Sequence, residues 1–212
     1  WNPVENYITR NGITYYKGIK IQDVSLVSFD IETTGLDPLK PDAQVLLITN
    51  TLRKQGKIEK ATFRADKYNN EVELIEAWTN WIKKVDPSIL LGHNIIMFDI
   101  PYLNGRYKVL TGKELSLGRL NTPISINEKP SQFRKDGSQS YTFHKISCFG
   151  REIIDTFFLA IKTDVGRKYE SYGLKAIIKH EGLEKQGRTH YNAANIKNDW
   201  SDIKKKIGRA HV

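Results

Sequence analysis

Asp30 and Glu32 stand one residue apart at the end of an apolar run, Val24-Ser25-Leu26-Val27-Ser28-Phe29-Asp30-Ile31-Glu32. In an extended strand alternate side chains share a face, so both carboxylates point the same way. Like charges held that close raise each other's proton affinity unless a cation sits between them. Carboxylate oxygens are hard donors, and the cation they suit is Mg2+ or Mn2+. A bare Asp-x-Glu is more often a solvated acidic strand end. Two features weigh against that reading: the apolar run implies a buried strand, and the small-residue turn Thr33-Thr34-Gly35 leaves room for a ligand. A third acid, Asp99, closes Asn94-Ile95-Ile96-Met97-Phe98-Asp99, just after the short apolar stretch Ile89-Leu90-Leu91. Alone, a carboxylate there does no more than complement a helix dipole. With Asp30 and Glu32 it makes three acids at the ends of two buried strands, and open α/β sheets bind ligands outside their strand ends.

The elements that must position these residues follow from periodicity and turn chemistry. Residues 24–32 alternate as a strand, and residues 45–49 and 58–64 are further strands of the same sheet. Residues 70–85 carry Val72, Ile75, Trp78, Ile82 and Val85 as a helical stripe, opened by an Asn cap and closed before Asp86-Pro87. Residues 89–91 form a short strand ending at Gly92-His93-Asn94, and a helix runs over residues 97–110 with Pro101 near its first turn. Residues 132–148, with Asp136-Gly137 between polar-aromatic runs, read as an inserted hairpin. Residues 7–16, broken by Asn11-Gly12, read as another hairpin near the start. Ile153-Ile154 leads into Asp155-Thr156, a strand-to-helix junction with Asp155 as N-cap, and residues 172–179 make a last helix. Strands first, then alternating helix and strand, predict an α/β domain: a mixed sheet flanked by helices.

Composition narrows the class. The 212 residues are 39% apolar, with 10% aromatic, enough for one sizeable core. Cys148 is the single cysteine, which excludes an intramolecular disulfide framework and a Cys-rich zinc site, and it reads as a buried thiol. No apolar run approaches the ~18 residues of a membrane helix, and the start is no signal peptide. The net charge is +9, which favours a polyanionic partner, because Lys and Arg near phosphates release condensed counterions. A solvated basic surface with no such partner is the competing reading.

Phe29-Asp30-Ile31-Glu32-Thr33-Thr34-Gly35 resembles the first motif of the 3′–5′ proofreading exonucleases that use four catalytic acids. Leu91-Gly92-His93-Asn94-Ile95-Ile96-Met97-Phe98-Asp99-Ile100-Pro101-Tyr102-Leu103 resembles their second motif in its family B DNA polymerase form. Gly150-Arg151-Glu152-Ile153-Ile154-Asp155-Thr156 and Ser171-Tyr172-Gly173-Leu174-Lys175 are similar to further segments of that domain. The resemblance covers roughly residues 24–200, and its four segments in order are far more specific than any one of them. It implies a ribonuclease H-like α/β fold with hairpin insertions. It also implies two-metal phosphodiester hydrolysis, with two Mg2+ or Mn2+ ions about 3.5–4 Å apart. Asp30 would bridge both ions, Glu32 would hold the water-activating ion, and Asp99 the other. Thr33, Asn94 and Phe98 would contact the 3′ end of single-stranded DNA, and Tyr172 would line the strand groove. For Phe98, base stacking and a core position at the helix start weigh equally, as do the groove and burial for Tyr172. His93 reads as structural, and Asp155 as a cap or a supporting acid. The product would be a nucleotide monophosphate, and a polymerase domain would follow in the parent chain. The rival from another class is a non-catalytic single-strand-binding module of the same fold.

One departure from the family stands out. Its third motif places an Asp four residues after a Tyr, or five after a His. Four residues after Tyr169, Tyr172 and Tyr191 stand Gly173, Ala176 and Asn195, and five after His180 stands Lys185. The fourth acid is therefore expected beyond the chain end, with Asp155 or Asp199 as substitutes, and the chain as given is expected to be a weak or inactive nuclease. Residues 1–23 are expected to be an N-terminal hairpin segment and residues 24–206 a C-terminally incomplete exonuclease domain. Ile207-Gly208-Arg209-Ala210-His211-Val212 matches a reading frame of a common sequencing adaptor and is expected to be non-native. The source is expected to be bacterial or viral and the location cytoplasmic.

Overall fold

A computed structural model of the chain describes residues 3–13, 18–135, 139–184 and 200. Its centre is β1 (Leu26–Thr33), where Val27, Phe29 and Ile31 are buried and Ser28, Asp30 and Glu32 take the other face. β2 (Val45–Lys54) pairs antiparallel with β1 on one side, and β4 (Ile89–Gly92) pairs parallel on the other. β3 (Lys57–Arg64) extends the sheet beyond β2, and β7 (Glu152–Asp155) pairs parallel beyond β4, giving the order β3-β2-β1-β4-β7. This five-stranded mixed sheet flanked by helices is the expected ribonuclease H-like architecture. β2 runs five residues past the expected end. It stays in the sheet until Gln55-Gly56, both at positive φ (51° and 75°), which is the two-residue loop that best matches strand twist.

The apolar face of β1 and β2 is covered by α2 (Glu71–Val85). Asn70 caps this helix by accepting the Glu73 N–H at 2.9 Å, and Leu74, Ile75, Trp78 and Ile82 form its buried stripe. Trp78 lies 5.3 Å from the Phe29 ring and donates its indole N–H to Asn50 Oδ1 at 2.9 Å, so a large aromatic fills the core with no unpaired polar atom. α3 (Asp99–Thr111) packs beside α2 and stops at Gly112, φ 73°. A buried ion pair joins the two helices: Arg106 Nη2 lies 2.6 Å from Glu71 Oε2. The same Glu71 accepts the Val45 N–H, and Arg106 donates to the Pro38 carbonyl, so this pair also fixes the connection that follows β1.

The expected hairpin over residues 132–148 is present and longer. β5 (Ser125–Lys135) and β6 (Gln139–Ser147) form a separate two-stranded sheet, which begins earlier because a register irregularity between Ile126 and Pro130 hides the alternation. Phe133 and Phe143 pack on Phe158 of α4 (Thr156–Thr163), at 5.2 and 4.9 Å, which ties the hairpin to the main sheet. The last helix described along its length is α5 (Leu174–His180). One expectation fails. Pro3–Arg10 is a helix, α1, where a hairpin is expected over residues 7–16. Asn11-Gly12 ends that helix, with Gly12 at φ 61° and the Asn11 N–H bonded to the Tyr7 carbonyl, because a left-handed Gly serves a helix end as well as a hairpin turn. Residues 14–17, the other half of that hairpin, lie outside the described residues, as do 185–199 and 201–212, with Asp199 and the tail at 207–212 among them. No helix of the described residues is long and apolar enough to cross a membrane.

Candidate functional site

Asp30 and Glu32 share one face at the far end of β1, Asp30 exposed and Glu32 partly buried. The strand leaves its partner there: register slips between Glu32 and Thr33, so Glu32 faces Leu47 while Thr33 faces Val45. Such bulges re-aim side chains at sheet ends. Asp99, only 3% exposed, enters from the first turn of α3, and its Oδ1 accepts the backbone N–H of Ile31 at 3.1 Å. Ile31 is the residue between Asp30 and Glu32, so the third carboxylate is fixed against the strand segment that carries the pair.

These acids are held in tension. Burial pushes the Glu32 carboxyl up to about 7, the Asp30 charge adds to the rise, and Lys175 opposes it. Asp99 is pushed up to about 8, by burial first and then by Asp30, with the Ile31 N–H opposing. Hard carboxylate donors in a shared negative field are the donor set that Mg2+ or Mn2+ takes. Among the described residues, however, no three His, Cys, Asp or Glu side chains are drawn together tightly enough to hold an ion. The acids fit a divalent metal in kind and in the repulsion a cation would relieve, and these three alone do not close its ligand sphere.

The turn between β4 and α3 supplies the next residues. Gly92 is required: a Cβ there would collide with Ile95 and come within 2.8 Å of the Phe29 carbonyl oxygen. Asn94 sits in the left-handed region at φ 69°, and its side-chain Oδ1 is buried with no hydrogen-bond partner. Its backbone N–H donates to Asp155 Oδ1 at 2.8 Å, and that of Ile96 to Asp155 Oδ2 at 3.0 Å. Phe98 is partly buried, its ring 5.5 Å from Tyr102: one side meets the core and the rest remains accessible. Thr33 donates its hydroxyl to the Gly35 carbonyl at 2.7 Å, which commits it to the turn after β1.

Tyr172 is held away from free rotation by a hydrogen bond from its hydroxyl to the buried Asp164, 2.9 Å. Its carbonyl faces His93 Nε2 at 2.8 Å, while His93 Nδ1 lies 3.0 Å from Thr156 Oγ1. His93 is thus structural as expected, joining the end of β4 to α4 and to the Tyr172 segment. Asp155 caps α4 as expected, taking the Phe157 N–H at 2.9 Å. Both its oxygens accept backbone amides, Oδ1 two of them and Oδ2 one, which ties it to the junction of β4, β7 and α4.

Sequence reasoning missed the groove beside Asp30. A cavity of about 360 Å3 opens on the polar face of the sheet, lined by Ser28, Asp30, Thr49, Thr51, Lys60 and His93, among others. The signal was present as Thr49 and Thr51 in β2 and Thr62 in β3, which read only as strand propensity without the pairing of β3 to β2 and of β2 to β1.

The chain matches the family model described as "DNA polymerase family B, exonuclease domain" over residues 4–177. It is 30% identical over 209 residues to the DNA polymerase delta catalytic subunit of Plasmodium falciparum (89% of this chain, 19% of that protein). It is 29% identical over 201 residues to the corresponding subunit of Dictyostelium discoideum (86% and 18%). The chain thus spans under a fifth of these relatives' length. A solved family B DNA polymerase from the archaeon Pyrobaculum calidifontis shares the fold, with a TM-score of 0.63 at 23% identity, covering 87% of this chain and 22% of that one. The expectation of a bacterial or viral, cytoplasmic protein is overturned: the curated relatives also include those of Drosophila melanogaster and Schizosaccharomyces pombe, all eukaryotic polymerase delta subunits. The motifs encode chemistry common to many kinds of organism, so they held no information on source.

Proposed function

Because the chain belongs to the exonuclease domains of family B DNA polymerases, we propose that it is a proofreading 3′–5′ exonuclease, hydrolysing DNA phosphodiesters from a single-stranded 3′ end and releasing a nucleotide monophosphate. The observation that carries this reading is the hydrogen bond from Ile31 N–H to the buried Asp99, which brings a third carboxylate to the strand segment bearing Asp30 and Glu32. Asp30, Glu32 and Asp99 would hold the Mg2+ or Mn2+ ions. Bound there, such ions would lower the pKa of an attacking water and stabilise charge on the departing 3′ oxygen. Asn94 would contact the terminal nucleotide, Phe98 would stack on a base, and Thr33 and Tyr172 would border the strand. The polymerase relatives support a polymerase domain in the same parent chain and DNA as substrate.

A second reading, a single-strand-binding module of the same fold, is favoured by one observation: among the described residues no three acids close a metal site. Shortening of 5′-labelled single-stranded DNA by the full-length chain in Mg2+ separates the two. The exonuclease reading expects stepwise 3′ shortening that the Asp30→Ala, Glu32→Ala double variant loses. Binding without shortening by the unsubstituted chain favours the second reading. Undiminished shortening by the double variant removes these two residues from catalysis.

A further inference from the structure

We infer that Asp155 is a positioning residue for the 3′-end site, its carboxylate holding the Asn94 turn in the conformation that leaves Asn94 Oδ1 unpaired. The inference rests on the exonuclease reading and deepens it. A helix N-cap needs only one side-chain oxygen, directed at an amide of its own first turn. Asp155 does this with Phe157, yet it also accepts the N–H groups of Asn94 and Ile96, 61 and 59 residues earlier in the chain. Two of these three hydrogen bonds therefore serve the turn between β4 and α3 and not the helix. Asp155 is 4% exposed, so water does not compete for those amides.

The turn needs holding. Asn94 lies at φ 69°, a left-handed conformation that L-residues other than Gly adopt at a cost, Asn least among them. Its own carbonyl accepts from Met97 and Phe98, which begins the approach to α3 and Asp99. The flank of the turn is gripped from the same junction: Thr156 Oγ1 lies 3.0 Å from both the Gly92 carbonyl and His93 Nδ1. Without the carboxylate, two buried amides would lose their acceptor, and Asn94 would be free to relax toward an ordinary conformation. Its side chain would then leave the place in which Oδ1 is held buried and unpaired beside the acids.

Asp155→Ser tests this, since serine keeps an N-cap for Phe157 and cannot reach both Asn94 and Ile96. In the full-length chain, Asp155→Ser is expected to lower kcat/KM on 5′-labelled single-stranded DNA by about 10²-fold, as a misplaced binding group does. Asn94→Ala is expected to lower it comparably, and the double variant to be no worse than the poorer single, because both act through one group. Multiplying effects in the double variant, or a wild-type rate for Asp155→Ser, would overturn the inference. Amide hydrogen exchange gives an independent readout: Asp155→Ser should speed exchange at Asn94 and Ile96 and spare Phe157, and unchanged exchange at the first two overturns the inference. Where Asp155→Ser does not fold, Asp155→Asn replaces it, retaining one acceptor oxygen and setting an NH2 group against the Ile96 N–H. A chain that binds DNA without cleaving it fails the exonuclease reading alone. The same double-variant cycle is then run on the dissociation constant, where additivity again overturns the role of Asp155.

Discussion

Acids at the ends of two strands, β1 and β7 on either side of β4, meet opposite fates in this molecule. At the end of β1, Asp99 and Glu32 face a third carboxylate, and burial with that charge pushes both toward neutrality, to about 8 and about 7. At the end of β7, Asp155 is as buried as Asp99 but accepts three backbone N–H groups. Glu71 belongs with the second kind, since Arg106 and the Val45 N–H satisfy it. Burial alone does not mark a reactive carboxylate. The partner inventory separates them: an acid supplied with donors is architecture, and one set against another acid is a candidate for a cation or a proton.

Removing an acid of the first kind should therefore abolish chemistry and spare the fold. The Asp30→Ala, Glu32→Ala double variant is expected to lose about 10³-fold or more in cleavage rate. Its metal-free melting temperature should stay level or rise, because repulsion is relieved. A large drop in melting temperature would place the pair among the architectural acids. Removing an acid of the second kind should do the reverse. Glu71→Ala leaves Arg106 buried without its partner and is expected to cost about 3–5 kcal/mol of stability. Denaturant unfolding measures this, and a loss near zero would mean that the pair contributes little beyond its own desolvation.

Titration separates the two kinds again. Glu32 and Asp99 have folded-state pKa values above their ordinary 4.5 and 3.8, so the native state binds more protons than the unfolded one between about pH 4 and 8. The stability of the metal-free protein should fall as pH rises through that window, by an amount on the order of a few kcal/mol. Asp86 runs the other way. Hydrogen bonds from Arg119 and Arg151 hold its carboxyl below the usual range, so its contribution is present above pH 4 and fades below it. A stability maximum near pH 4 in chelator, flattened on its alkaline side by Mg2+, is the expected profile. A metal-free profile that rises from pH 5 to 8 would show that the acid end is not in tension.

The order of elements was legible because alternation and caps are local signals. Val27-Phe29-Ile31 against Ser28-Asp30-Glu32 fixed the face of β1, and Asn70 fixed the start of α2. The failures have a common cause in interactions that the local pattern does not encode. Asn11-Gly12 marks a left-handed turn, but whether it joins strands or ends a helix depends on what precedes it. The reach of Asp155 to Asn94 spans 61 residues, so only its cap to Phe157 was readable. The groove with Lys60 needed the β1–β2–β3 pairing before its threonines could be seen as one wall. Asp30, Glu32 and Asp99 were legible because each closes an apolar run, which sets a charge where the chain has just left the core.

Phe98 gives the smallest effect and the finest comparison, between a ring that packs and a ring that recognises. Its contact with Tyr102 at 5.5 Å accounts for one face, and its partial exposure leaves surface for a base. Stacking on a single-stranded base contributes about 1–3 kcal/mol and is tolerant of sequence. Phe98→Ala is thus expected to weaken single-stranded DNA binding by an amount in that range, equally for different base compositions. The salt slope should stay as it is, because phosphate contacts by Lys and Arg set it and a ring releases no counterions. Cys148→Ala, which trims a thiol 7% exposed, is the control: it should leave DNA affinity alone while costing some stability. If Phe98→Ala instead lowers stability and leaves affinity at the wild-type value, the ring belongs to the core, and the recognition face of the turn narrows to Asn94.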